Sequence, residues 1–501
     1  MTNRHLILAT SGLYILGSAL FALSLKPWPM FAVLAGCICA IGLMAGRQPG
    51  EPAGIIEQRI DLRFYMSCLA AGLAILIAGG EGHFVFAVND WLIRDAVLAD
   101  VARTGVNTVY DYQGHDYLLR APLGMYLIPG ALGQFTSLNS AHLVMLAQNA
   151  VLLASVFYVF GLLAPRARMM VVALFILFGG LDILPALLQG YWIHNSVGQF
   201  ILPARLSAWA PWFSYWSNIS SLFWVPNHTL PAWWFAALAL LTARRKIGMH
   251  VLVASAPALA LWTPFVIMIA PVLGLALLLQ APVRALQAPR NWLAAGVVCL
   301  FAPIGVYLTV ASATIPSEWT VQRDGFWAVY ALTLLIQMPQ LIFVAAYWRT
   351  IDRDDRPLLS AAIVVLLVVP VYNFGGGFDL VARASNAALA ILAFEFSAIF
   401  VSFDRSKHQE GWILAVSIVA LAILSPGIQF ARAFMHPRFA ISDCSLLSAT
   451  MDAGGEGLPL HYIAAVESIP AWLIAPALER RIAYQQRNCW PDHPMPESYH
   501  R

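Results

Sequence analysis

An all-α, polytopic membrane fold of about thirteen transmembrane helices, with surface helices on the extracytoplasmic side, is what the sequence predicts. Three observations predict it. Of the 501 residues, 60% are hydrophobic and only 11% are charged, whereas a soluble domain is about a quarter charged. Long apolar runs recur along the chain, many near the roughly 20 residues that cross a hydrocarbon core. Basic residues gather in alternate short loops, as they do on the cytoplasmic side of a membrane.

The runs fall near 6–25, 30–46, 64–80, 141–164, 169–188, 229–243, 249–262, 264–280, 291–311, 326–347, 357–372, 386–402 and 411–428. They are continuously apolar and not alternating, so helices are expected and a β-barrel is not. The pair 249–280 admits a second reading, in which Pro264 and Pro271 kink one long segment. With the N-terminus inside, 16 of the 29 basic residues lie in short cytoplasmic loops, among them Arg166, Arg168, Arg244, Arg245 and Lys246. That bias predicts a cytoplasmic N-terminus and, with an odd number of spans, an extracytoplasmic C-terminus.

The organisation that follows is three N-terminal spans in 1–80, a large extracytoplasmic loop at 81–140 and a helix bundle at 141–428. The bundle carries an aromatic loop at 189–228, and an extracytoplasmic tail occupies 429–501. Four of the six cysteines sit in apolar spans, where a thiol behaves as a small hydrophobe. Cys444 and Cys489 are the two in the tail. An oxidising compartment favours a disulfide between them, and two free thiols are the alternative. No Walker or Rossmann glycine loop is present, so no nucleotide cofactor and no nucleic-acid partner are expected.

Polar chemistry concentrates beside the spans. Residues 91–103 read as an amphipathic helix lying along the membrane surface, with Ile93, Val97 and Val101 on one face and Arg94, Asp95, Asp100 and Arg103 on the other. Asn89-Asp90 before it is a pair suited to capping a helix. It also places the Asp90 carboxylate at the lipid–water boundary beside Glu81 and His83, where a general base or a metal ligand would stand. Tyr110 to Tyr117 reads as a wet turn. Seven tryptophans in 189–234 (192, 209, 212, 216, 224, 233 and 234) read first as an interfacial belt and second as a surface for sugars or isoprenoid chains. Asn227-His228 opens a span, with His228 free to be structural, to contact phosphate or to ligate metal. Around 373–385, Gly375, Gly376 and Gly377 precede Asp379 and Arg383, spaced four apart. That is a local ion pair or, on the functional reading, an arginine that binds lipid phosphate.

This arrangement resembles the GT-C superfamily, the membrane glycosyltransferases that use polyprenyl-phosphate sugars. The likeness rests on Asn89-Asp90-Trp91 and Arg94-Asp95 in the first large loop, and on the overall layout. Pro226-Asn227-His228 and the segment from Asp379 to Ser385 resemble elements recurring in uncharacterised bacterial members. The family's acidic motif is often Asp-x-Asp or Glu-x-Asp; the nearest match here is Glu81-Gly82-His83, with Asp90 farther on. The resemblance implies an inverting transferase of the bacterial inner membrane, acting in glycan biosynthesis for the cell envelope. It would move a sugar from a polyprenyl-phosphate donor to a glycan, lipid or protein acceptor. Catalytic roles fall on Asp90, Glu81 and His83, and substrate binding on Arg94, Asp95, Asn227, His228, Asp379 and Arg383. A divalent cation, Mg²⁺ or Mn²⁺, would sit at Asp90 and His228.

Two other classes compete. A transporter or flippase would carry ionisable groups within its spans, facing a midplane cavity; Asp182 and Glu395 are the main acidic residues so placed. A non-catalytic assembly subunit would bind a partner through its tail.

Overall fold

The computed structural model describes residues 1–46, 54–188, 206–375, 379–403, 408–452 and 458–491. The fold is mostly helical, and each apolar run coincides with a helix or a broken pair of helices. Four helices are long and apolar enough to cross a membrane: Asn3–Ala22, Pro27–Ala45, Leu138–Leu163 and Gln409–Met435. Two pairs pass the same test together but are bent, Pro289–Leu300 with Ala302–Thr314 by 41° and Phe326–Gln337 with Pro339–Ala346 by 69°. The other apolar helices of at least ten residues, such as Leu62–Ala78 and Asn386–Ser402, are shorter. The 249–280 segment is two helices, with Pro264 opening the second and Pro271 inside it.

Outer faces are apolar, as lipid requires. Pro27–Ala45 turns Phe31, Ile38 and Ile41 outward while Val33, Ala40 and Met44 are buried. At the centre, Pro226–Ala243 is buried along its whole length. Trp233 and Trp234 lie within it, 1% and 0% exposed. These two are core residues and not part of an interfacial belt, because every face of their helix meets another helix. Trp192 lies outside the described residues.

The apolar run 169–188 breaks between Arg168–Ile176 and Ile183–Leu188. Breaking a helix frees backbone groups that an apolar setting leaves without water. Here a polar knot takes them up. Leu181 N–H donates to the Ile336 carbonyl at 2.7 Å, and Gln340 donates to the Gly179 carbonyl at 2.6 Å. Gln337 donates to Asp182 at 2.9 Å and accepts from Tyr215 N–H at 2.7 Å. Asp182 also accepts from Trp209 at 2.8 Å. The break in one helix is thus satisfied by the break at Met338-Pro339 in another.

After Leu62–Ala78 the chain reverses through Gly80, whose φ of +96° suits glycine. A Cβ there would stand 2.4 Å from that of Ala87. The next helix, Asp90–Thr104, departs from the expected surface-lying amphipathic element. Arg94, Asp95 and Asp100 are buried along with Leu92, Val97 and Val101. The reason is that Gly124–Gly133, Leu138–Leu163 and Leu446–Asp452 pack around it, so its polar face meets partners in place of water. Trp91 pins its start, donating to the Gly79 carbonyl at 2.9 Å. Asn89 stands at the N-cap without making a side-chain cap bond.

The first loop and the tail form one unit. Strands β1 (Val109–Tyr112) and β2 (His115–Leu119) make an antiparallel hairpin, so the expected wet turn is the tip of a hairpin. After the short pair β3 (Ser317–Glu318) and β4 (Asn373–Phe374), tail strands β5 (Ile463–Ala465) and β6 (Ile482–Ala483) flank that hairpin. The sheet order is β5-β2-β1-β6. Asp100 ties the parts together, accepting from Tyr110 O–H at 2.8 Å and from Leu446 N–H at 2.7 Å. Cys444 and Cys489 are disulfide-bonded, with Cα atoms 5.8 Å apart.

One close approach gives a stability prediction. A Cβ on Gly124 would lie 2.0 Å from Trp262 Cδ1. That ring is buried and packed edge-on against Tyr14 at 5.0 Å. Gly124→Ala is therefore expected to destabilise by roughly 1–3 kcal/mol or more. A thermal melt in detergent that matches wild type would show that Trp262 gives way freely.

Candidate functional site

A cavity of about 310 Å³ collects residues from the whole length of the chain. Asp90 and Arg94 enter from the start of Asp90–Thr104, Asn227 and His228 from the first turn of Pro226–Ala243, and Asp379 and Arg383 from Asp379–Ala384. Arg120 comes from the end of the hairpin, Tyr126 from Gly124–Gly133, and His461 and Tyr462 from the tail. An apolar side is supplied by Phe265, Met268, Leu308, Ile315 and Phe374. Met268 is 57% exposed, so this side continues onto the apolar outer surface.

Six of the expected site residues thus share one cavity: Asp90, Arg94, Asn227, His228, Asp379 and Arg383. Glu81, His83 and Asp95 do not line it. The turn through Gly80 carries Glu81 and His83 beneath the Asp90–Thr104 helix. There Glu81 is 1% exposed and accepts from Asn149 at 3.1 Å. Burial raises its carboxyl to about 8, against the lowering effects of Asn149 and Arg94. Asp95, one residue on from Arg94, points away from the cavity to His83 because successive helical side chains diverge by about 100°. Of the glycine cluster, Gly375 adopts φ +98° at the cavity wall; Gly376 and Gly377 lie outside the described residues.

Among the described residues, charge in the cavity comes to three guanidiniums against two carboxylates. Arg94 pairs with Asp90 at 3.3 Å and also donates to the Trp224 carbonyl. Arg383 pairs with Asp379 at 2.9 Å and lies over the Phe265 ring. Arg120 has no carboxylate partner among the described residues. It donates to backbone carbonyls of Leu308 at 3.3 Å and Leu460 at 2.7 Å. The first turns of three helices, starting at Asp90, Pro226 and Pro264, also line the cavity, and such turns favour anions. Among the described residues, one cation without a carboxylate, two paired ones and three helix starts give the cavity a chemistry suited to anions, beside an apolar side.

A divalent cation fits this cavity poorly. Asp90 and Asp379 are each engaged by an arginine, and His228 Nδ1 is hydrogen-bonded to Thr263 at 2.8 Å. Asp90 and His228 belong to no group of three metal-type donors among the described residues.

Among the cavity residues that escaped the sequence reading are Arg120, Tyr126, His461 and Tyr462. Arg120 carried a signal, being a lone charge between Leu118-Leu119 and Ala121-Pro122. His461 and Tyr462 carried none, because only the sheet brings the tail here.

His461 yields a pH prediction. Crowding by the cavity wall, with Arg383 and Arg120 nearby, lowers its imidazole to about 4, although part of the residue stays exposed. The unfolded chain therefore binds the proton first, so this contribution to stability is complete above about 6.5 and is lost as pH falls through about 4. Tail docking should weaken over that window in wild type and not in His461→Gln. Hydrogen exchange of the β5 amides is the measurement; equal pH dependence in both proteins would refute it.

No family model, curated protein or solved structure matches the chain.

Proposed function

We propose that the protein is an integral membrane glycosyltransferase of GT-C type, with about thirteen spans, in a bacterial inner membrane. Its N-terminus is cytoplasmic, and its cavity and tail face the opposite side. It moves a sugar from a polyprenyl-phosphate donor to a glycan, lipid or protein acceptor. The observation that carries this reading is the gathering of Asp90, Arg94, Arg120, His228, Asp379 and Arg383 around one cavity with an apolar side.

The donor's isoprenoid chain lies against Phe265 and Met268, and its phosphate sits among Arg120, Arg383 and the helix starts. The acceptor hydroxyl gives its proton to the Asp90 carboxylate. Its oxygen bonds to the anomeric carbon as the bond from that carbon to the phosphate oxygen breaks. The lipid phosphate leaves with the electron pair, and the guanidiniums hold its growing charge. No nucleotide is needed for this step, because the donor carries its own leaving group. Inversion at the anomeric carbon follows from the single displacement.

Asp182 and Glu395, the acidic residues of the competing transporter reading, are engaged elsewhere: Asp182 in the knot of broken helices, and Glu395 beside Arg244 at 3.9 Å. The test is a reconstituted assay with a radiolabelled polyprenyl-phosphate sugar and candidate acceptors. Transfer of label into a new glycosidic bond is the expected result. Accumulation of label inside vesicles without bond formation would replace the transferase with a transporter.

A further inference from the structure

Outside the cavity, on the far side of the Asp90–Thr104 helix, His83, Asp95 and His142 converge. One ligand atom from each lies within 4.8 Å of the others, and all three residues are buried. They come from three elements: the Glu81–His83 turn, the Asp90–Thr104 helix and Leu138–Leu163.

The hydrogen bonding identifies what these donors face. His83 Nδ1 contacts the Phe439 carbonyl at 3.2 Å. A carbonyl only accepts, so Nδ1 carries a proton, and neutral His83 turns a bare lone pair on Nε2 toward Asp95. That nitrogen is 2.9 Å from one carboxylate oxygen and 3.1 Å from the other. Two acceptors at this distance need a positive centre beside them. A second proton on His83 would serve this pair, but it leaves His142 unexplained. The His142 ring is 1% exposed, and neither ring nitrogen has a hydrogen-bond partner among the described residues. Its Nε2 points to the same carboxylate, 3.9 Å from Asp95 Oδ1. Buried imidazoles are rarely left this way. His83 also holds φ at +57°, a left-handed value rare for a residue with a Cβ.

We propose that His83 Nε2, Asp95 and His142 bind a divalent metal ion of the zinc class. Two imidazoles and one carboxylate suit such an ion, and metal–ligand bonds of about 2.0–2.2 Å span donors at these separations after small shifts. The Phe439 carbonyl plays the usual outer partner of a metal-bound histidine, fixing its tautomer and orientation. A water completes the coordination. The ion clamps the Asp90–Thr104 helix to Leu138–Leu163, and that helix presents Asp90 and Arg94 to the cavity from its other side. The assignment stands whether or not the cavity transfers sugar.

Full-length protein purified in detergent without chelator should carry one zinc per chain by elemental analysis. His142→Ala and Asp95→Asn should each bind Zn²⁺ at least about tenfold more weakly, while Asp90→Asn keeps full occupancy. Should a variant fail to fold, stripped wild type decides. Adding Zn²⁺ should raise its melting temperature, and Co²⁺ should give a visible ligand-field spectrum. Wild type without stoichiometric metal that also ignores added Zn²⁺ and Co²⁺ overturns the proposal. So does unchanged metal content in both ligand variants.

Discussion

Replacing Asp90 by Asn is expected to lower sugar transfer at least about a hundredfold while leaving the fold intact, the range of a lost general base being about 10²–10⁴. The side chain is 38% exposed and opens to the cavity, and its ion-pair contact is Arg94 at 3.3 Å. Asn matches Asp in shape but takes up no proton at neutral pH, so it removes the step and keeps the volume. Arg94 stays anchored by the Trp224 carbonyl, but it is buried, so losing its carboxylate partner costs some stability. The melting temperature should fall while the fold is kept. The loss should fall on kcat with little change in the KM for donor, because in the proposed reaction the carboxylate meets the acceptor and not the lipid phosphate. Asp90→Glu should recover part of the rate, since a carboxylate returns at a displaced position. A rate within twofold of wild type for Asp90→Asn would remove this residue from the chemistry.

How far the sequence foretold these arrangements differs by element. Helix positions were legible, since an apolar run near 20 residues has few other stable states in lipid. Their breaks were not. The run 169–188 breaks at 177–182, where Gly179, Gly180 and Asp182 stand, and its freed backbone is taken up by groups distant in sequence, Leu181 N–H by the Ile336 carbonyl and the Gly179 carbonyl by Gln340. Within the site, Asp90, Asn227, His228, Asp379 and Arg383 were legible as polar residues next to apolar runs. A carboxylate or guanidinium there costs free energy unless it is used. Asp95 was read with Arg94 because the two adjoin in sequence, yet a helix sends neighbours in different directions. His142 was passed over as the start of an apolar span. Its meaning depends on His83, which is 59 residues earlier and delivered by a turn that Gly80 permits. The tail's share was illegible for a related reason. β5 and β6 are three and two residues long, too short to show a pattern of their own, and they exist as strands because the hairpin offers them edges.

Arg120→Ala should reduce kcat/KM by about a hundredfold to a thousandfold, the usual cost of removing a donor aimed at charge that grows in the transition state. Arg94 and Arg383 already balance a carboxylate each, so among the described residues Arg120 is the cavity cation without a carboxylate, its charge open to a ligand. Its two bonds to carbonyls fix it without neutralising it. They also hold the end of the hairpin against the Ala302–Thr309 helix and the tail, so a purely structural role must be separated from phosphate binding. Arg120→Lys makes the separation. It keeps the charge but loses the planar fork, and should give an intermediate rate. Polyprenyl phosphate, the leaving product of the proposed reaction, supplies the second measurement. If Arg120 holds the phosphate, product inhibition should weaken in Arg120→Ala by a factor similar to the loss in kcat/KM. A structural brace would lower the melting temperature and leave the inhibition constant where it was. A charge without a carboxylate, fixed by backbone carbonyls inside a half-apolar cavity, is costly to maintain unless an anion arrives to share it. Retained activity in Arg120→Ala would therefore count against phosphate as the group recognised here, and with it against a polyprenyl-phosphate donor.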